Sequence, residues 1–411
     1  MEVLGTAPRP LRQEDRRRYS YWCFRIFIAS WIGYAGFYFC RRNISWTPLP
    51  STSHPGWLNG LADLLMVFGA GYMVGQFVGG WAADRFGARR TVLFGGMLSL
   101  VSTGQGFGWP AMMKLFSVWL PRRELAIGMA WWSTSYALGS FLATALATAL
   151  STVEFIPIVA GSKLSILVPC VILFLTTVFF YIRARDLPSE VGLEQIHSQT
   201  DPLSPSIGWM PVLRNREIQL LAIMYFFLKL TRYALLFWLP VYIIETQHSK
   251  GNSALLLSSL FELTGFIGAL FASYASERWF DSRRYPVGAG MLFLAAFVFL
   301  LHPLVSSWGT VPTGISIALI GMLIFGPDVL MASVAVVEAV PSDQTGRAAG
   351  YVNGMGSLGQ MVSPVLVALS TRFFGWNSIF SIFVVCSLLA ASLLVVRWNS
   401  PVSQDLMPKT A

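Results

Sequence analysis

Charge is what this sequence has least of. Asp, Glu, Lys and Arg make up 12% of its 411 residues, about half the ~25% usual in soluble domains. An ordinary water-facing surface is therefore excluded over most of the chain. Cysteine and histidine are equally sparse, four of each. Cys23, Cys40, Cys170 and Cys386 all fall in apolar segments without a CxxC pair, which argues against a disulfide framework or a thiolate metal site. The histidines form no ligand cluster, and there is no Walker lysine loop, nucleophile elbow or metal motif. No catalytic residue, cofactor or metal is expected, and no cleavable signal peptide is visible.

What the chain has is apolar length: 55% hydrophobic residues, with thirty Phe and fifteen Trp. Runs near 21–40, 57–83, 91–120, 124–150 and 158–182 precede a polar stretch over about 183–216. Runs near 217–245, 252–276, 286–304, 311–337, 347–371 and 377–397 follow it. Eleven runs of this length predict an all-α polytopic membrane protein. The expected division is a membrane half over 1–182, a cytoplasmic connecting loop over 183–216 and a second membrane half over 217–411. The net charge of +9 sits in short loops beside apolar runs. This is the pattern of cytoplasmic loops rather than of nucleic-acid binding, and it sets the N-terminus inside.

The halves repeat. An acid–arginine pair ends the second run (Asp84, Arg85) and another ends the eighth (Glu277, Arg278). Arg41 precedes Asp84 by 43 residues, and Arg232 precedes Glu277 by 45. An arginine deep in the opening span of each half marks a two-halved transporter. The pattern from Gly80 through Asp84-Arg85, Gly87 and Arg89-Arg90 is similar to the loop after the second span of the major facilitator superfamily. The repeat also exposes a shortfall. The second half uses 49 residues from Glu277 to Gly326, whereas the first uses 24 from Asp84 to Gly108, a difference of about one span. The basic loops at Arg89-Arg90 and Arg122-Arg123 both belong inside, yet one crossing would separate them. A re-entrant pair, a frustrated single crossing or a missing helix would each account for this. The missing helix is the expectation here.

Arg41 and Arg232 are expected to face a central cavity, because an arginine in the bilayer costs about 2.5–3.5 kcal/mol and is seldom kept facing lipid. Two guanidiniums offer the fork that a phosphate takes; the alternative for Arg41 is snorkelling to an interface. Tyr34 and Tyr38 share a helical face with Arg41. Lys229 shares one with Arg232, either as a third cation or paired to Glu262. Asp63, Asp328 and Glu338 are further acids in or near spans. Asp328, after Gly326-Pro327, is a candidate for proton coupling. Lys114 is expected to hold the end of its span.

Several segments together resemble the organophosphate:phosphate antiporter family of the major facilitator superfamily. They are residues 34–43 (YAGFYFCRRN), Gln105-Gly106-Phe107-Gly108-Trp109-Pro110 with Lys114, and Lys229-Leu230-Thr231-Arg232-Tyr233 leading to Trp238-Leu239-Pro240. Gly326-Pro327 and Phe374-Gly375-Trp376 extend the likeness. The resemblance implies two pseudo-symmetric helical halves, normally of twelve helices, with rocker-switch exchange of an organophosphate for inorganic phosphate. It carries the substrate-phosphate arginines onto Arg41 and Arg232 and the first-span tyrosines onto Tyr34 and Tyr38. Trp109 falls in a matched motif, and the eighth-span acid matches Glu262. Tyr136 stands where glycerol-3-phosphate transporters have a histidine, and Gln76 where many members have a lysine. The expected partners are a small anionic organophosphate, inorganic phosphate and the lipid bilayer of a bacterial inner membrane or its equivalent, with the protein a monomer. Other readings are a sugar-phosphate sensor, a proton-coupled carrier of another organic anion, and a shortened form without transport activity.

Overall fold

In the computed structural model, residues 13–42, 57–99, 102–151, 161–193, 208–247 and 251–399 are described. Among them the chain is helical and without strands. The first eight helices are α1 (Gln13–Arg42), α2 (Trp57–Phe86), α3 (Ala88–Met97), α4 (Ser102–Gln105), α5 (Gly108–Trp119), α6 (Arg122–Trp132), α7 (Thr134–Ser151) and α8 (Gly161–Arg183). After a short α9 (Met210–Arg214) come α10 (Arg216–Gln247), α11 (Gly251–Arg278), α12 (Arg284–Ser306), α13 (Thr310–Val329), α14 (Val336–Ala339), α15 (Thr345–Phe374) and α16 (Ser378–Val395). Seven helical stretches among the described residues are long and apolar enough to cross a bilayer: α1, α10, α11, α12, Thr310–Ala339, α15 with the turn before it, and α16.

The run at 91–120 is not one span. α3 has 10 residues and α5 has 12, so at 1.5 Å per residue each rises about 15–18 Å, roughly half of a ~30 Å hydrocarbon core. The ends of the pair lie together. At the start of α3, the Arg89 guanidinium donates to the Tyr181 carbonyl at 2.7 and 3.0 Å, and the Arg89 amide donates to Asp186 at 3.0 Å. At the end of α5, the Trp119 indole donates to the Arg185 carbonyl at 2.9 Å, while the Trp119 carbonyl accepts from the Tyr19 hydroxyl at 2.9 Å. Both ends therefore sit on the segment that closes α8. This corrects the expectation of a missing helix: what remains is a half-depth hairpin, and both basic loops fall at one arginine-rich end. The shortfall is shared between two helices that go in and come back.

Close backbone approach seats the hairpin. A Cβ on Gly75 of α2 would stand 2.0 Å from the Thr103 carbonyl oxygen, and one on Gly106 would stand 2.6 Å from the Tyr72 carbonyl oxygen. The same device joins the halves of the sequence. Gly346 and Gly350, one helical turn apart on α15, lie against Gly80 and the Gln76 carbonyl of α2. Small residues at that spacing let two helices pack at backbone distance where lipid gives no hydrophobic push. α2 accordingly packs on α15 more extensively than any other two helices pack, and α15 also packs on α10. α11 lies on α13, and α12 on α16.

The continuous run at 310–339 changes character midway. Pro327 removes a backbone donor, and Leu330–Ala335 widen into a π-helix, where the Ser333 hydroxyl bonds the Val329 carbonyl. Such bulges concentrate at functional sites.

The hairpin has a direct topological consequence. Arg90 and Glu124 are both exposed. Single cysteines placed there should react with a membrane-impermeant maleimide from the same side of oriented vesicles. Labelling from opposite sides would restore a single crossing.

Candidate functional site

Arg232 stands midway along the 32-residue α10. Its Nη1 meets Asp328 Oδ2 at 2.5 Å, and the carboxylate is 2% exposed. The Tyr225 hydroxyl donates to the other oxygen, Oδ1, at 3.0 Å. The guanidinium lies over the Phe325 ring at 4.1 Å and beside Tyr136 at 5.7 Å. The partner of Arg232 is thus Asp328, the residue after Pro327 on α13. The ion pair joins α13 to α10 at this point.

From Arg232 an aromatic path leads into the first half. Tyr136 stacks on Tyr38 with centroids 5.8 Å apart, Tyr38 lies 5.8 Å from Tyr34, and Tyr34 touches Trp132 at 4.6 Å and Trp109 at 6.1 Å. Tyr34, Tyr38, Trp109, Tyr136 and Arg232, expected in one place, are brought together. Four helices contribute: α1, α5, α7 and α10. Arg41 closes α1 one turn beyond Tyr38, and its side chain lies outside the described residues, as does that of Asp63. The Tyr136 hydroxyl and Arg232 Nε are buried and without a hydrogen-bond partner, as are the Trp109 indole N–H at the far end of the aromatic path and, on α2 and α4, the amide atoms of Gln76 and Gln105. Unmet donors and acceptors in a dry interior cost free energy. The Tyr136 hydroxyl and Arg232 Nε, side by side, are groups that a polar ligand could satisfy.

Lys229, 2% exposed, faces α15. Its Nζ donates to Asn353 Oδ1 at 2.6 Å and to the Ser357 hydroxyl at 2.9 Å. Tyr225 and Tyr233 of α10, and Tyr72 of α2, present their rings to it at 5.0–5.7 Å. Neither Asn353 nor Ser357 was signalled by any sequence motif considered; only their one-turn spacing on α15 hints at a shared face.

A second charged cluster sits at the arginine-rich end. Asp84 accepts from the backbone amides of Gly346 and Arg347, each at 2.9 Å, and from Arg347 Nε at 3.0 Å. Lys114 approaches Asp84 at 3.6 Å and donates to the Ser342 carbonyl. One carboxylate thus ties α2 and α5 to the start of α15, where the amide dipoles favour negative charge. The equivalent acid of the repeat, Glu277, pairs with Arg284 at 2.6 Å, and Arg284 also meets Glu338 at 3.0 Å. Arg85 and Arg278 are exposed. The acids of both repeats therefore find arginines other than their chain neighbours. Arg347 had no motif to announce it. Among the described residues no group of three or more His, Cys, Asp or Glu could hold a metal ion.

The sequence model of the Major Facilitator Superfamily matches residues 26–355. The glycerol-3-phosphate transporter of Bacillus subtilis (strain 168) is 24% identical, over 97% of this chain and 98% of that protein. A probable hexose phosphate transport protein of Chlamydia muridarum is 25% identical over 94% and 93%. The membrane sensor protein UhpC of Salmonella typhimurium is 27% identical over 96% of each. Among solved structures, the proton:xylose symporter XylE aligns with a TM-score of 0.70 at 13% identity, covering 93% of this chain and 96% of that one, a likeness of fold. A multi-pass helical chain with these matches belongs to the Major Facilitator Superfamily, and its curated relatives include glycerol-3-phosphate and hexose phosphate transporters and a membrane sensor protein.

Proposed function

We propose that this protein is a secondary transporter that exchanges an organophosphate, such as glycerol-3-phosphate or a sugar phosphate, for inorganic phosphate by alternating access. The observation that carries the reading is Arg232, a permanent cation buried where helices of both halves meet, beside the unpartnered Tyr136 hydroxyl. A guanidinium offers phosphate a planar fork, and neutral donors around it suit hydroxyls on the rest of the ligand. Arg41, one turn past Tyr38, supplies the second guanidinium in this proposal. The Asp84 cluster is the gate at the cytoplasmic end, closed here by Arg347 and Lys114. A sensor is the second reading, favoured by the 27% identity to a membrane sensor protein.

Purified protein in phosphate-loaded liposomes should exchange labelled phosphate for glycerol-3-phosphate or glucose-6-phosphate. Binding of either without counterflow would favour the sensor, and neither binding nor counterflow would end the phosphate reading. Arg232→Lys should weaken binding about 10–100-fold, the equivalent of losing a charge-assisted hydrogen bond of about 1.5–3 kcal/mol. Unchanged affinity in a titration would remove Arg232 from the site.

Asp84→Asn should loosen the gate. A cysteine at Ser342, beside Lys114, should then react with maleimide about 5-fold faster or more, the scale of a coupling of 1 kcal/mol upward. An unchanged rate would show that Asp84 does not hold the halves together.

A further inference from the structure

The cation assigned to the substrate already has an anion. Arg232 Nη1 and Asp328 Oδ2 are 2.5 Å apart, the carboxylate is 2% exposed, and Tyr225 holds its other oxygen at 3.0 Å. A phosphate that approaches Arg232 must either replace this carboxylate or come to rest beside it. Beside it, two anions share one guanidinium in a region of low dielectric, where like charges repel strongly. Replacement leaves a bare carboxylate in the interior with a tyrosine hydroxyl as its remaining partner, which is costly for a charge and not for a neutral acid. One proton on Asp328 removes both obstacles. The neutral acid releases Nη1, still accepts from Tyr225, and gains an O–H that can donate to a phosphate oxygen.

We propose that Asp328 is a proton-binding site coupled to the anion site: each anion that binds Arg232 loads together with one proton on Asp328, and the proton leaves when the anion does and the ion pair re-forms. The proton comes from and returns to bulk water, so charge and atoms balance without a further reactant. Protonation and anion binding promote one another because each removes the competitor of the other, and linkage makes the effect reciprocal. The inference rests on the phosphate reading above and deepens it. In exchange, a proton accompanies the anion in each direction, so the exchange cycle moves no net proton.

Several charged and titratable groups face Asp328 or lie on the elements packed around it. α10 presents Arg232, Tyr225, Tyr233 and Lys229, and Lys229 is bound to Asn353 and Ser357 of α15. α7 presents Tyr136, and α11 carries Glu262, half-buried. On α12, Arg284 is held by Glu277 and Glu338 at one end, while His302 bonds Tyr242 and Ser316 toward the other. Arg347 of α15 and Arg122 and Glu124 of α6 lie at the arginine-rich end. The unpartnered Arg232 Nε supplies the rival geometry, in which phosphate takes that edge while Asp328 keeps Nη1 and no proton is needed.

The experiment is calorimetric titration of the full-length protein in detergent with glycerol-3-phosphate, from about pH 7.5 to 9, where the ligand is a dianion. Buffers of different ionisation enthalpy count the protons taken up. The wild type should take up about one proton per ligand and lose affinity about tenfold per pH unit. Asp328→Asn should take up none and bind with an affinity independent of pH; Asp328→Glu should keep the slope. Should Asp328→Asn fail to fold, infrared difference spectra of the wild type should gain a carboxylic acid C=O band on ligand addition. Wild-type binding with no proton uptake, no pH slope and no such band overturns the inference and leaves the transport reading standing. No binding of glycerol-3-phosphate, glucose-6-phosphate or phosphate by folded protein overturns that reading, and this inference with it.

Discussion

A guanidinium that cannot lose its proton sits in the middle of a long apolar helix, and much of the interior is arranged around that charge. Leaving a buried ion without its partner costs about 3–5 kcal/mol, so Arg232 constrains its neighbours tightly. α13, which holds Pro327 and runs on into the π-turns at Leu330–Ala335, presents Asp328 to it, Phe325 covers one face, and Tyr225 anchors the carboxylate. From the other half Tyr136 approaches, backed by Tyr38 and Tyr34. Charge placement, a helix irregularity and an aromatic path are thus aspects of one requirement.

The second constraint is the absence of a hydrophobic drive between helices in lipid. Contact between the halves relies on backbone approach at Gly80, Gly346 and Gly350, reinforced by Asp84 bonding the first amides of α15. The half-depth hairpin uses the same means, with Gly75 and Gly106 sealing it against α2. Its two ends are fixed by Arg89 and Trp119 on the residues that end α8. Shortening α3 and α5 together preserves the side on which every later helix begins. Losing one whole helix would have inverted the second half.

Much of this was readable from the residues. Apolar run length and basic loops give the membrane class, and the spacing of Arg41 to Asp84 and Arg232 to Glu277 gives the two-fold plan. Tyr34, Tyr38, Trp109, Tyr136 and Arg232 were all named before their meeting was seen. The ion-pair partners were not, because pairing depends on rotation between helices distant in sequence. Asp328 reads in the sequence as an acid near a span, and its pairing with Arg232 shows only once α13 and α10 are packed together. Likewise a residue count reveals a shortfall of one span but cannot tell one absent helix from two halved ones. Arg347 escaped notice because an arginine at a helix start reads as an ordinary loop charge until an acid from another helix meets it.

The central claim is that Arg232 receives the anion and that Asp328 yields to it. An experimental structure of the protein with glycerol-3-phosphate bound tests this most directly. The account predicts phosphate oxygens within hydrogen-bond distance of Arg232 and close to Tyr34, Tyr38 or Tyr136, with Asp328 withdrawn from Nη1. A phosphate bound elsewhere, with the Arg232–Asp328 contact still at 2.5 Å, would contradict it.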